Sequence, residues 1–169
     1  MSYGDAEGFA DYIEARGREI SDEWALCDIN AALLFASEWI DGVYGPSFLG
    51  YKAGGFEQVR EWPRKSAIVE TCVPVYTFAS DAIPDRVVNA TYEAAYRQLS
   101  NPGTLQPDYI PGKYKSVTIE GALSVDYVQF SSAADVQMQV SAIDNLLAPL
   151  MNQNSGAVMS SLSGGASRV

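Results

Sequence analysis

Residues 21–45, SDEWALCDINAALLFASEWIDGVYG, decide the fold class. Alanine, leucine and tryptophan fill residues 24–40 without a proline or glycine, a composition that favours a helix. The side chains fall in two rows at helical spacing, which is typical of a helix buried over much of its circumference. The rows are Trp24, Cys27, Ala31, Leu34 and Glu38, and Ile29, Leu33, Ala36, Ile40 and Val43 or Tyr44. We therefore predict a central buried helix with Ser21 as its N-cap and Gly42 and Gly45 at its end.

Three further helices are predicted around the central one. Residues 6–16 present one apolar face and precede Gly17, a favourable residue after a helix. Pro84 suits the first position of a helix that stops at Asn101-Pro102-Gly103, and small residues on its apolar stripe would let a neighbouring helix approach closely. A last short helix is predicted at 141–151. Its apolar face carries Ile143, Leu146, Leu147 and Leu150.

The hydrophobic period changes at about residues 113–130. Apolar and polar residues alternate there on both sides of Gly121, which predicts a β-hairpin. An isolated hairpin is only marginally stable in water, so we expect it to pack on the helices or to pair with a neighbouring subunit. The fold class is therefore mainly α: a small bundle of about four helices with a long loop and one hairpin. We expect one domain over residues 1–151 and a flexible, Ser/Gly-rich C-terminal tail at 152–169.

The long loop spans residues 45–82, and loops of that length are uncommon unless they are functional. Its middle reads QVREWPRKSAIVE, residues 58–70. We expect Trp62 to anchor this loop on the helical core, against Trp39 or Tyr44. The loop is thus a candidate subunit contact.

Two neighbours of the tryptophan carry the rest of that hypothesis. Pro63 would stiffen the loop. Arg64 and Lys65 are adjacent cations in a chain of net charge −10, and we expect Arg64 to pair with a carboxylate of its own subunit or of the next. Without such a partner, the stretch would only hold the loop in place.

No set of residues in the sequence points to catalysis. Histidine is absent, so the commonest general base and the commonest ligand of catalytic zinc are both missing. Lys65 and Ser66 are adjacent rather than face to face, and Glu57 and Glu61 have no feature that separates a glycosidase-like pair from solvated surface. The two cysteines are far apart in sequence, which argues against a disulfide framework or a zinc site, and we expect both to be reduced and structural. We expect no enzyme, metal or cofactor.

The negative charge is concentrated in the first third of the chain. Residues 1–50 carry a net charge of −8, residues 51–100 carry 0 and residues 101–169 carry −2. A protein that grips nucleic acid through phosphates needs a basic face, and none is visible; the simpler alternative is a solvated surface that keeps the protein soluble. No apolar run approaches the roughly 18 residues of a membrane span, and the N-terminus lacks the pattern of a secretory signal. We expect a soluble intracellular product without membrane association.

Six motifs between about residues 5 and 151 resemble one known family when taken in order. They are FADYIEARG, ALLFASEWIDGVYG, QVREWPR, IPDRVVNATYEAAYRQL, KYKSVTIEGALSVDYV and IDNLLAPLM. This set is similar to the head–tail connector (adaptor) proteins of tailed bacteriophages, many of which are described as DnaT-like single-stranded-DNA-binding proteins. The resemblance implies a virion structural protein, made in the bacterial host cytoplasm and located in the neck.

The resemblance also implies partners. Such a subunit forms a ring, usually of twelve copies, that docks on the portal, extends the DNA channel for packaging and ejection, and receives the next neck or tail protein, a stopper or tail terminator. In related connectors the C-terminal segment reaches toward the portal. The docking residues expected from this are Leu146, Leu147, Leu150, Met151 and Val158. An acidic surface would let DNA slide through without specific binding; the alternative function is a single-stranded-DNA-binding accessory protein.

Overall fold

The computed structural model describes residues 1–69, 74–106, 116–119, 123–126 and 140–152, the strands at 116–119 and 123–126 by their backbone only. Four α-helices are present in this part of the chain, which confirms the mainly-α fold class. They are α1 (Ala6–Ala15), α2 (Leu26–Tyr44), α3 (Asp85–Ser100) and α4 (Ser141–Leu147). α3 packs against α2 on one side and α4 on another, while α1 contacts both α2 and α3.

Short antiparallel strand pairs complete the described structure. The pairs are β1 (Tyr51–Lys52) with β2 (Arg64–Lys65), β3 (Ile68–Val69) with β4 (Tyr76–Thr77), and β5 (Ser116–Ile119) with β6 (Leu123–Asp126). The last pair is the predicted hairpin, with Ser116 opposite Asp126 and Val117 opposite Val125. The long loop is therefore more ordered than its sequence indicated, since two of the pairs lie within it.

Two helix starts differ from their predictions. α2 begins at Leu26 rather than after Ser21, because residues 21–24 close a separate turn in which the Trp24 N–H donates to the Ser21 carbonyl at 3.0 Å. The backbone N–H of Ala25, the true N-cap, donates to the Asp28 carboxylate at 3.2 Å. Pro84 is the N-cap of α3 rather than its first residue.

The end of α2 agrees with its prediction at Gly45, which is the C-cap, but not at Gly42. Gly42 lies inside the helix, which continues to Tyr44. The chain then turns through a short 3₁₀ helix at Gly45–Ser47. Glycine lowers helix propensity but does not stop a helix whose other side chains are buried.

The core is built around the contact between α2 and α3. Small side chains on α3 allow this close packing, as predicted, and larger apolar side chains from α1 and α4 close the two sides. The fully buried members are Phe9 and Ile13 of α1, Leu33, Ala36 and Ile40 of α2, Val87, Ala90, Ala94 and Ala95 of α3, and Ile143 and Leu147 of α4.

A carboxylate lies within this core. Glu93 of α3 has no exposed surface and accepts hydrogen bonds from Arg97 at 2.6 Å, Arg16 at 2.9 Å and Arg18 at 3.0 Å. The Tyr12 hydroxyl adds a longer contact of 3.4 Å. An unpaired buried carboxylate would strongly destabilise the fold, so the fold requires these arginines beside Glu93. Because Arg16 and Arg18 directly follow α1, they hold that helix against α3.

The pKa of Glu93 reflects two opposing effects. Burial raises it, but the hydrogen bonds and positive charges of Arg97 and Arg18 outweigh burial, and the pKa is lowered overall. A carboxyl whose pKa is lower in the folded state stabilises the fold above its unfolded pKa of about 4.3, and this contribution is lost as pH falls through the folded value.

We expect the substitution E93Q to reduce the free energy of unfolding by about 3 kcal/mol at pH 7, since it removes the charge that three guanidinium groups share. The difference from wild type should shrink as pH falls below about 4. Urea unfolding between pH 7 and pH 3 measures both effects. E14Q, which alters an exposed acid of α1, should change stability by less than about 0.5 kcal/mol. A deficit independent of pH would contradict the electrostatic explanation.

Candidate functional site

Trp62 anchors the segment that we call the anchored loop, residues 48–69. Its side chain is 1% exposed. It makes edge-to-face contacts with Phe48, at 5.8 Å between ring centroids, and with Phe78, at 5.6 Å. Trp62 therefore packs against the first residue of the loop and against Phe78, which follows it.

The expected aromatic partners of Trp62 pair with each other instead. The Trp39 and Tyr44 rings lie 5.9 Å apart. The Trp39 indole N–H donates to the Leu105 carbonyl at 3.0 Å, and the Tyr44 hydroxyl donates to Asp144 at 2.6 Å. These bonds direct the two side chains toward the segment after α3 and toward α4. The expectation that they receive Trp62 is wrong.

Arg64 is also buried, and its carboxylate partner belongs to the same chain. The guanidinium donates to Glu61 at 2.6 Å and to the carbonyls of Leu49 and Gly50 at 2.8 Å each. Glu61 accepts a second ion pair from Lys52 at 2.9 Å. The arginine thus connects Leu49 and Gly50, near the start of the anchored loop, to Glu61, and it is not a free cation.

A second polar cluster joins the anchored loop to α2 and to the N-terminus. The Tyr3 hydroxyl donates to Asp41 at 2.6 Å and accepts from the backbone N–H of Trp62 at 2.9 Å. Arg60 pairs with Asp41 at 3.4 Å. Burial raises the pKa of Asp41, although the hydrogen bonds from Tyr3 and Arg60 oppose that effect. Sequence reasoning missed this cluster because nothing in the local pattern connects Tyr3 to a residue 59 positions away.

The loop presents apolar side chains to solvent. Phe56 is fully exposed, Val59 is 87% exposed and Tyr51 is 60% exposed. The Gln58 side chain fixes the backbone beneath them: its oxygen accepts from the Gly54 N–H at 2.7 Å, and its nitrogen donates to the Pro63 carbonyl at 3.0 Å. An ordered loop that holds large apolar side chains in water is typical of a contact surface. No pattern in the local sequence marks these residues as exposed.

The predicted portal-docking residues divide into buried and accessible ones. Leu147 and Leu150 are buried in the chain's own core, so their assignment to docking is corrected: they hold α4 and the following turn onto the bundle. Leu146 and Met151 are partly exposed. Val158 lies outside the described residues.

The segment after α4 is joined to the start of the anchored loop. The Leu49 N–H donates to the Leu150 carbonyl at 2.9 Å, and the Asn152 N–H donates to the Ser47 carbonyl at 2.7 Å. The backbone up to residue 152 therefore belongs to the folded domain, although the predicted tail began there.

Within the described ranges, His, Cys, Asp and Glu side chains form no group of three or more that could hold a metal ion. Cys27 is a free, exposed thiol, so it does not have the structural role expected for it, and Cys72 lies outside the described residues. Among the described helices, none has the length and apolar character needed to cross a membrane.

A family model described as "Putative DnaT-like ssDNA binding protein" matches residues 1–164. The chain belongs to this family. No curated protein and no solved structure matches the chain.

The cations of this DnaT-like chain are mostly engaged internally. Of the eight lysines and arginines that the structure describes, six form ion pairs within the chain. They are Arg16, Arg18, Lys52, Arg60, Arg64 and Arg97. Arg86 donates to the Leu146 carbonyl at 3.4 Å, and Lys65 is exposed. The described surface therefore offers no row of free cations along which a phosphate backbone could lie.

We expect R64A to destabilise the fold by about 2–4 kcal/mol, because it removes the donor of the partly buried Leu49 and Gly50 carbonyls and leaves Glu61 with Lys52 alone. R64K should lose less stability than R64A, since the lysine ammonium keeps the positive charge. It should still be less stable than wild type, because one ammonium reaches fewer acceptors than the guanidinium fork. Chemical denaturation measures the loss, and hydrogen exchange should speed up at residues 48–53. K65A, next to it but exposed, should stay within about 0.5 kcal/mol of wild type. Equal effects at the two positions would refute the structural role of Arg64.

Proposed function

We propose that this chain is a structural subunit of a tailed-phage neck. Copies of it form a ring, of twelve subunits as in the connectors that it resembles, between the portal and the next neck or tail protein. The ring extends the DNA channel and joins head to tail. The observation that carries this proposal is the charge distribution: six of the eight described cations are engaged in internal ion pairs, while nine of the ten acids in residues 1–50 are exposed.

The acidic surface supports a channel that DNA crosses without adhering. Nine of the ten acids in residues 1–50 are exposed. They are Asp5, Glu7, Asp11, Glu14, Glu19, Asp22, Glu23, Asp28 and Glu38. Such a surface repels phosphates over about a Debye length, roughly 8 Å at physiological salt. A cryo-EM map of the neck with these acids on the outer wall of the ring would overturn the channel part of the proposal.

Single-stranded DNA binding is the second candidate function. It is favoured by the description of the family to which the chain belongs and by exposed aromatic side chains, Tyr51, Phe56 and Tyr76, on which bases could stack. A stacking surface without a basic groove binds weakly, however, since single-strand binders combine the two. The connector remains the better-supported candidate.

A titration of a fluorescent single-stranded oligonucleotide separates the two functions. For the connector, we expect no saturable change in anisotropy at micromolar protein, at either 50 or 200 mM salt. A single-strand binder would bind tightly at 50 mM and lose affinity steeply at 200 mM. A double variant, Y51A/F56A, is the matched control for stacking. Tight, salt-dependent binding that this variant loses would overturn the connector proposal in favour of DNA binding.

Two truncations test docking to the portal. A chain ending at Asn152 retains the hydrogen bond to Ser47 and the buried Leu150, so its helical circular dichroism and melting temperature should match wild type, while its capture by immobilised portal should weaken. A chain ending at Leu147 loses those contacts and should unfold more readily. Loss of helix content in the chain ending at Asn152 would contradict the domain boundary, and unchanged capture would contradict the docking role.

A further inference from the structure

The exposed end of the anchored loop forms a projecting apolar feature, which we call the knob: Phe56 and Val59. Phe56 has no neighbour that shields it from water. Lys52 donates to the Gln58 carbonyl at 3.2 Å, and Gly54 donates to the Gln58 side chain at 2.7 Å, so the backbone that carries the knob is held in one conformation. An aromatic side chain presented on a rigid frame loses little conformational freedom on binding, and such residues tend to dominate contact energies.

The same chain carries a groove between the start of α2 and the end of α3. Its volume is about 510 Å³, whereas a cavity of roughly 150 Å³ already holds benzene. Its apolar walls are Trp24, Ala31, Phe35, Leu99 and Pro102, with Asp28 among the polar residues. Trp24 is fixed by an edge-to-face contact with Tyr96 at 5.7 Å. The groove is therefore large enough, and aromatic enough, to take a phenylalanine side chain.

The knob and the groove lie at opposite ends of α2. Arg60 holds the loop to Asp41 in the last turn of the helix, whereas Trp24 and Asp28 line the groove at its start. The 19 residues of α2 span about 28 Å. Phe56 is fully exposed and so does not fill its own groove, but an adjacent copy placed head to tail could bring the two together.

Charge favours the same arrangement. Residues 19–28, beside the groove, carry four exposed acids and no cation. The acids are Glu19, Asp22, Glu23 and Asp28. Residues 51–65, around the knob, carry four cations and two acids, and two further acids, Glu38 and Asp41, pair with Arg60 there, so this end has no net charge. Two groove ends therefore repel each other, whereas a knob end meets no such repulsion at the groove, and this selects head-to-tail over groove-to-groove approach.

We propose that the knob of one copy seats in the groove of the next copy, with Phe56 entering between Trp24 and Leu99. The two surfaces are different, so the contact is heterologous, and repetition of a heterologous contact produces a ring when the rotation closes. This inference rests on the proposed function for its setting, since it supplies the contact from which the ring is built.

Disulfide trapping between two distinguishable full-length chains tests the contact. Both chains carry C72S. The knob chain also carries C27S and E57C, which places a thiol beside Phe56. The groove chain retains native Cys27, an exposed residue one helical turn from Ala31. A size tag on one chain identifies the mixed species. Mild oxidation should give a mixed dimer that a reductant reverses.

The control for random collision places the thiol on α4, beside the end of α3 that is far from the groove. A groove chain with C27S and N145C has an exposed thiol on α4, and α4 meets α3 near Arg86, about 18 Å along the helix from the groove residue Gln98. This chain should give little mixed dimer. Equal yields from Cys27 and from position 145 would overturn the proposal.

Substitutions placed on one chain at a time distinguish the two sides of the contact. F56D on the knob chain, or A31E on the groove chain, should reduce the mixed dimer about tenfold or more, as loss of a central aromatic anchor does. F56D on the groove chain, or A31E on the knob chain, should have no effect. Both positions are exposed, so folding should be unaffected, and circular dichroism checks this. A symmetric effect, or a predominance of dimers in which two knob chains are linked through position 57, would overturn the head-to-tail contact.

The outcome is separable from that of the proposed function. Tight DNA binding together with efficient trapping would overturn the connector and leave the contact standing. A ring in the virion neck whose subunits do not join through Phe56 would overturn the contact alone.

Discussion

The structure depends on one buried charge, the carboxylate of Glu93. It has no exposed surface, and three arginines surround it. Two of them come from the chain directly after α1, so satisfying the carboxylate fixes where α1 ends and how it lies on α3. The effect extends further, because the Arg18 guanidinium lies 5.1 Å from the centre of the Tyr96 ring, and Tyr96 in turn holds Trp24. The wall of the groove is therefore set by an ion pair inside the core.

Ion pairing inside the chain also affects the charge of the surface. A chain with eleven lysines and arginines against twenty-one acids has few cations to distribute, and the described ones are largely engaged in holding α1 to α3 and the anchored loop to α2. Buried or half-buried pairing of this kind stabilises by satisfying acids in the interior. Of the nine exposed acids in residues 1–50, it leaves all but Glu38, which pairs with Arg60 at 3.6 Å, without an ion-pair partner among the described cations. An acidic exterior is thus a consequence of how the interior is held together as well as a property of the composition.

Periodicity predicted most of the architecture. All four helices follow from the spacing of apolar side chains, and the alternation around Gly121 placed the hairpin. Periodicity identifies which face of an element is buried, but not what covers it. Trp62 was expected to be buried against Trp39 or Tyr44, yet its aromatic neighbours proved to be Phe48 and Phe78, while Trp39 and Tyr44 pack on each other.

The polar contacts that position the candidate site could not be predicted for a related reason. Arg97 lies four residues from Glu93 and is visible as a helical pair, but Arg16 and Arg18 are separated from Glu93 by 77 and 75 residues. Leu147 and Leu150 show the converse error. Their apolar character was interpreted as a docking face, although in a domain this small the same side chains are needed to complete the core.

The anchored loop shows why order, rather than hydrophobicity alone, distinguishes a contact surface. A phenylalanine on a mobile loop would pay for binding with the entropy of the whole segment, and its exposure would carry little information. Here Arg64 donates to the carbonyls of Leu49 and Gly50 at the base of the loop, and the Gln58 side chain accepts from the Gly54 N–H at its tip. The chain thus commits several polar interactions, most of them partly buried, to holding Phe56 in water. Those interactions stabilise the loop without requiring an aromatic residue at its tip, so the selection of phenylalanine there is best explained by a surface that it meets.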